Sequence, residues 1–480
     1  MFEKSGILIF VVPYYVPVLT YLLRNLKENI SPINRMNHDL LRRFFRMTGI
    51  NILANLAEPL AGLFAVAFLG HLTQIDDLAG VSLATILFNC IFESLLFLRL
   101  STTALTAQSV GKDDKEELLL VALRSAFIAV VIGVVIVILQ YPIGVLGFSL
   151  LNGSSDVESS GLSYFYARIW GSPAVLLNFV ILGWFLGREQ NGKVLLLTAL
   201  GNIVNVVLSY VVIIQWNLGS QGVGLSQTFS EYLTLLLGII LVIISIEWQI
   251  LSKAIPKFWD LSIFRNLMSF NGDLLLKSFI CIAIWGIFFA LSAPLGTEIL
   301  AENTLLQQII YLIMYVIEAI GFTTETITGN LKGQDNNDEL LSLLQISLIV
   351  STIVGVLTSA VCVLLPEIIF GLLTNHHEII EPIKIYTPWL FIVLICFSIA
   401  WILEGYFAGL ANSKAPLNAA IIGLFIGFLP SAIWAWITHN NHLLWLAISA
   451  FMVTRLVVLL LQLLEIFSND FIKTNQQKET

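Results

Sequence analysis

The chain has 480 residues, 57% hydrophobic and 12% charged, with a mean hydropathy of +0.88 and a formal net charge of −8. Soluble domains carry about 25% charged residues, so this composition excludes a soluble globular protein and points to a polytopic membrane protein. Basic residues flank apolar runs instead of clustering on a face, which excludes nucleic-acid binding; Cys90, Cys281, Cys362 and Cys396 all fall inside apolar runs, which speaks for packing and against a disulfide framework.

In chain order, the first apolar run covers 7–23 and is interrupted by Pro13 and Pro17. It lacks a small-residue cleavage site, which argues against a signal peptide. Three readings stay open: a thirteenth membrane segment, an interfacial helix, or sequence upstream of a start at Met36. Twelve core runs follow, near 47–71, 80–108, 119–141, 161–186, 194–215, 223–246, 274–294, 299–328, 341–365, 384–409, 416–437 and 443–466. Each can supply the roughly 20 helical residues that cross a bilayer. They are continuous instead of alternating, so they predict α-helices and not barrel strands.

Lys and Arg placement sets the expected orientation. Arg24, Lys27, Arg35, Arg42, Arg43 and Arg46 precede the first core span, and Lys112, Lys115, Arg188, Lys193, Lys253, Lys257, Arg265, Lys332 and Lys414 lie in later loops of the same side. Loops 72–79, 149–160, 216–222, 295–298 and 438–442 hold none. Both ends of the core are therefore expected in the cytoplasm. The expected organisation is an extension over 1–46, a first lobe over 47–246, a cytoplasmic linker over 247–270, a second lobe over 271–467 and a tail over 468–480.

The two lobes repeat. Gly111, Asp113, Glu117, Leu118 and Leu119 match Gly333, Asp335, Glu339, Leu340 and Leu341, 222 positions on (333 − 111). The same offset pairs Leu78, Ala79 and Leu83 with Leu300, Ala301 and Leu305, and Gly183, Phe185 and Gly187 with Gly405, Phe407 and Gly409. Duplicated membrane halves with a site between them are the mark of a transporter. The Gly183–Gly187 spacing predicts close helix contact.

Six stretches in order resemble the multidrug and toxic compound extrusion (MATE) family, in its DinF-like branch, over about residues 45–470: PLAGLFAVAFLGHL (59–72), FLRLSTTALTAQSVG (97–111), IWGSPAVLLNFVILGWFLG (169–187), GNIVNVVLSY (201–210), LGTEILAENTLL (295–306) and IEAIGFTTETITG (317–329). The resemblance implies an all-α, V-shaped fold of two six-helix lobes, and export of small organic, usually cationic compounds in exchange for protons or sodium ions. It implies no cofactor, a monomer, and the bacterial plasma membrane as the location. The chain is also similar to the MATE exporters of cyanobacterial alkaloid-toxin clusters, the saxitoxin type among them.

Charges inside the spans are functional candidates, since one at mid-bilayer costs about 2.5–3.5 kcal/mol on insertion scales. Those singled out are Glu58, Glu93, Arg99, Asp273, Lys277, Glu318, Glu325 and Glu404. The resemblance places family aspartates at Ala65 and Ser209 and a family threonine near Gln227, so the first lobe keeps only Asn205 of that cluster, with Asn202 one turn away. Glu58, two turns before Ala65, and Glu93 are the candidates to replace the missing acids. In the second lobe the resemblance puts family aspartates at Glu318 and Glu404 and a glutamate of the branch at Glu325. Asp273 and Lys277, four apart, have the spacing of an intrahelical ion pair. Asn303, Gln307, Tyr311 and Tyr315 offer neutral and aromatic contacts to a cation. The charges so read are mostly acidic, which argues against the rival function of a lipid-linked precursor flippase; those acids and added glutamates suit a guanidinium- or polyamine-like solute. A membrane-embedded enzyme needs a convergent nucleophile or metal set, and none is visible; His376-His377-Glu378 reads as a solvated loop. No phosphate-binding loop motif occurs.

Overall fold

The computed structural model describes residues 38–70, 75–151, 154–371 and 381–479. The apolar run 7–23 and the His376-His377 pair lie outside them. All elements among the described residues are helical. Twelve are long, and they match the twelve expected runs in order. They are α1 (His38–Gly70), α2 (Asp77–Gly111), α3 (Lys115–Ile138), α4 (Ser155–Gly187), α5 (Asn191–Gln215) and α6 (Gly219–Ser245), then α7 (Leu261–Leu295), α8 (Thr297–Gly333), α9 (Asn337–Leu364), α10 (Thr387–Gly409), α11 (Lys414–Thr438) and α12 (Asn441–Ser468). Eleven of them, α2 to α12, are apolar and long enough to cross a membrane. α7 starts at Leu261, inside the stretch read as a linker, and Leu267, Phe270 and Leu274 pack in the core of the first six helices.

The helices form where they do because the loops between them carry strong stop and start signals. Asp114 caps α3 by accepting from the Glu116 and Glu117 amides, and Asp260 caps α7 through Ser262 and Ile263. The Ser262 hydroxyl and these amides hold the Asp260 carboxyl below the usual carboxylate range. A depressed carboxyl contributes stability above its unfolded pKa, so this cap weakens as the pH falls through the acid range.

The repeat is written into the backbone. Left-handed residues come in pairs 222 apart: Asp113 and Asp335 (φ 55° each), Glu189 and Ala411 (57° each), and Asn217 and His439 (51° and 49°). Helix contacts repeat as well. A Cβ on Gly183 would lie 2.6 Å from the Arg99 carbonyl oxygen, and one on Gly405 would lie 2.7 Å from that of Gly321. Gly187 meets the Thr103 carbonyl as Gly409 meets that of Glu325, both at 2.6 Å. The glycines let α4 ride against α2, and α10 against α8, at backbone distance. The symmetry breaks at π-turns, which occupy Tyr210–Gln215 in α5 but Gly423–Phe428 in α11.

The lobes meet through α2 and α8. A Cβ on Gly111 would lie 2.1 Å from the Asn330 carbonyl oxygen, and one on Gly333 would lie 2.3 Å from that of Gln108. This crossing sits at the end that carries the basic loops, called the basic end below. Beyond the crossing, α2 and α8 both line a cleft between the lobes.

Candidate functional site

The basic end is closed by polar contacts within and between the lobes as well as by the glycine crossing. Arg43 of α1 holds Glu189 of the α4–α5 loop through Nε (2.9 Å to Oε2) and Nη2, and Asn330 of α8 donates to Glu189 Oε1 at 3.2 Å. Deeper in, Asn51 of α1 donates to Thr323 of α8 (3.0 Å) and accepts from Asn191 (2.7 Å), and Gln108 of α2 donates to the Gly409 carbonyl (2.8 Å). Glu189 has no symmetry mate of its kind, since Ala411 stands there. Glu189→Ala removes a partly exposed charged acceptor worth about 1 kcal/mol after discounting for solvent. It is expected to raise thiol labelling of a cysteine placed at Thr328, which is fully buried, by roughly three- to tenfold.

Above this closure lies a cavity of about 270 Å³ lined from both lobes. Its floor and walls carry Glu93, Arg99, Arg168, Lys277, Glu318 and Arg455, among aromatic side chains that include Phe92, Trp285, Tyr311, Tyr315 and Trp401. Four basic groups thus face two acids. The expectation of a mainly acidic membrane interior does not hold for this cleft. Arg168 and Arg455 were missed, although both lie inside predicted spans, where the rule for intramembrane charges finds them. The same rule finds Glu231 of α6, whose carboxylate accepts from Asn178 at 2.8 Å.

The second-lobe acids have separate fates. Glu318 lines the cleft at 9% exposure. Glu325, two turns further along α8, is fully buried, and neither carboxyl oxygen has a hydrogen-bond partner among the described residues. A pocket of about 20 Å³, water-sized, separates it from Glu404 and Lys277. Glu404 is clamped: Lys277 Nζ lies 2.8 Å from Oε2, and Arg455 Nε donates to Oε1 at 2.7 Å. Glu404, which the sequence suggests as an exchanging acid, is here held between two buried cations. The expected Asp273–Lys277 pair is also corrected. Lys277 reaches across to α10, where a buried acid offers a stronger contact than a neighbour on its own helix surface, and Asp273 instead accepts from Ser413 Oγ at 2.7 Å.

Neutral candidates divide in the same way. Tyr311 lines the cleft and accepts from Gln307 Nε2 at 3.3 Å. Asn303 is withdrawn into a buried knot, donating to Ser292 (2.8 Å) and Asn441 (2.8 Å) and accepting from Trp445 (2.8 Å). In the first lobe Ser209 and Ser226 are hydrogen-bonded at 2.8 Å beside Asn205 Oδ1 (3.4 and 3.5 Å). Gln227 stands apart, accepting from Tyr164 at 2.7 Å. Glu93 reaches the cleft; the Glu58 side chain lies outside the described residues, although its backbone is helical. No cluster of metal-ligating side chains occurs among the described residues.

The family model described as MatE matches residues 51–211 and 275–433, one match in each lobe. The chain belongs to the MatE family. This MatE protein is 30% identical over 404 residues to the DNA damage-inducible protein F of Escherichia coli (strain K12), covering 84% of this chain and 88% of that one. It is 22% identical over 416 residues to the probable multidrug resistance protein NorM of Thermotoga maritima, covering 85% and 86%. Its fold matches a MOP superfamily transporter of Pyrococcus furiosus, described as having a binding pocket of reverse polarity, with a TM-score of 0.78 at 16% identity over 90% of this chain and 95% of that one. An outward-facing multidrug resistance MATE transporter matches equally, with a TM-score of 0.78 at 17% identity over 90% and 96%. The chain is an integral membrane transporter of the MATE type and not an enzyme.

Proposed function

We propose that the chain exports small organic cations by antiport, with Glu318 as the group at which proton and cargo compete. The observation that carries this reading is the position of Glu318: an acid on the wall of a cleft between two lobes, one turn from Tyr315 and two from Tyr311 on the same helix. A carboxylate with adjacent aromatic faces attracts an organic cation. Protonation removes the charge and weakens that attraction, so one ligand expels the other. Glu325, sealed while the basic end is closed, is the second proton site in this reading; parting of α2 and α8 at Gly111 and Gly333 uncovers it to the cytoplasm. A buried carboxyl without partners costs least when neutral, which suits a group that carries a proton through the closed state.

The orientation proposed from the loops puts the basic end in the cytoplasm, so the closed state described above faces outward. In everted vesicles, wild type is expected to accumulate a labelled organic cation under an imposed pH gradient. Glu318→Gln is expected to lose at least about tenfold of this gradient-driven accumulation, the size of an ordinary coupling free energy. Accumulation under a sodium gradient alone would replace the proton by sodium in this scheme. Unchanged, gradient-driven uptake in Glu318→Gln removes the residue from the mechanism.

A further inference from the structure

We propose that the first lobe carries a binding site for an anionic phospholipid. One acyl chain fills an apolar pocket between α3, α4 and α6, and the headgroup phosphate sits on Arg188 and Lys193. The pocket shares no lining residue with the cleft, and the inference does not depend on the export reading.

The pocket holds about 260 Å³. Leu119 and Ala126 of α3, Trp184 of α4, and Leu235 and Ile246 from the two ends of its α6 wall line it, joined by Leu251 of the short linker helix Trp248–Ala254. All its lining residues are apolar, and the one N–H among their side chains, Trp184 Nε1, is spent on the Leu118 carbonyl at 3.2 Å. Hydrocarbon therefore gains from entering and a polar group does not. Leu235 and Ile246 are 11 residues apart (246 − 235), about 16 Å of helix, or half of the roughly 30 Å hydrocarbon core. Ile239, another lining residue, is 41% exposed, so the pocket is not sealed inside the lobe.

Two partly buried cations flank the pocket at the basic end. Arg188, directly after α4, lays its guanidinium over the Trp184 ring at 4.2 Å, and its buried Nη1 has no hydrogen-bond partner among the described residues. Lys193 Nζ donates to Ser245 Oγ at 2.7 Å, one residue before Ile246 of the pocket wall. The two charges are close enough to repel each other. No carboxylate pairs with either among the described residues: Glu189, beside Arg188 in sequence, is held by Arg43, and Glu247, beyond Ile246, by Lys115. Like charges crowded in a partly buried site cost free energy that an anion between them recovers. A phosphodiester supplies that anion and several acceptors, and a phospholipid joins it to a chain that suits the pocket. Basic pockets between membrane helices take anionic headgroups in this way. The second lobe shows that the fold does not require these cations. Leu410, Ala415 and Phe467 stand 222 positions after Arg188, Lys193 and Ser245.

The test uses the purified full chain in phosphatidylcholine nanodiscs with a trace of phosphatidylglycerol or phosphatidylcholine bearing a diazirine on one acyl chain. Photolabelling of α3 is read by peptide mass spectrometry against α9, its counterpart in the second lobe. Phosphatidylglycerol is expected to label α3 roughly tenfold more than phosphatidylcholine does, as two basic groups provide, and the two lipids to label α9 alike. The double variant Arg188→Gln, Lys193→Gln is expected to lose the preference. Ala126→Trp, which fills the pocket, is expected to lower α3 labelling by either lipid to the α9 level. Labelling of α9 as in wild type and an unchanged unfolding midpoint report that the variants are folded, and the double variant decides alone if Ala126→Trp is not. Equimolar glycerol phosphate is expected to displace nothing. Equal labelling of α3 by the two lipids in wild type, or a preference that survives in the double variant, overturns the proposal. Displacement by glycerol phosphate overturns it as well, since the site would then take a soluble phosphate and not a lipid.

Discussion

Glu404→Ala is expected to destabilise the protein by about 3–5 kcal/mol, the usual result of stranding a buried charge. The substitution leaves Lys277, with 8% of its side chain exposed, and Arg455, with 2%, facing each other without their shared anion. Both side chains sit in the wall that joins α7, α10 and α12, so the loss falls on the packing of the second lobe. The check is the thermal unfolding midpoint in detergent, which is expected to fall sharply. The triple variant Glu404→Leu, Lys277→Met, Arg455→Met is expected to recover most of it, since an apolar set of similar volume often replaces a buried ionic one without loss. Lys115→Ala, which breaks an exposed pair with Glu247 (2.7 Å), is the contrast and is expected to leave the unfolding midpoint nearly unchanged, since solvent screens an exposed pair. A Glu404→Ala midpoint as mild as that of Lys115→Ala contradicts the clamp.

Gly333→Val is expected to hold the basic end open. The first atom added lies 2.3 Å from the Gln108 carbonyl oxygen and 2.9 Å from the Gly111 Cα, both backbone, so no side-chain rotation relieves the clash. The helices must part by about 1 Å or more, and overpacking of this kind costs about 1–3 kcal/mol. That energy is absent from the state in which the lobes separate here, so the conformational ratio shifts by roughly 5- to 150-fold. Spin labels at Lys112 and Lys332, both exposed, are expected to report a longer distance in the variant, together with loss of export. An unchanged distance distribution would show that the crossing is not the gate.

The architecture was legible because it depends on patterns with few alternatives. Continuous apolar runs in lipid leave helices as the solution, and the 222-residue offset already named the glycines that turn out to set the α2–α4 and α8–α10 contacts. Even the left-handed Asp113 and Asp335 stand in the repeated loop motif. The site was legible only in part. Sequence spacing shows which charges share a helix face but not which neighbouring helix they meet, so Lys277 was assigned to Asp273 four residues away and not to Glu404 on another helix. Arg168 and Arg455 lie inside predicted spans, but nothing in their spacing shows that both face the cleft; only the fold does. Asn303 had the chemistry of a cargo contact; only the fold reveals that Ser292, Asn441 and Trp445 consume its hydrogen bonds.

The proposed exchange at Glu318 is tested most directly by following protons when cargo binds. In a weakly buffered solution of the purified protein, at a pH where the cleft carboxyl is protonated, addition of an organic cation is expected to release about one proton per molecule bound, as competition for one carboxylate requires. Glu318→Gln is expected to bind cargo without that release. Binding to wild type with no proton release, or release that survives in Glu318→Gln, would contradict the account.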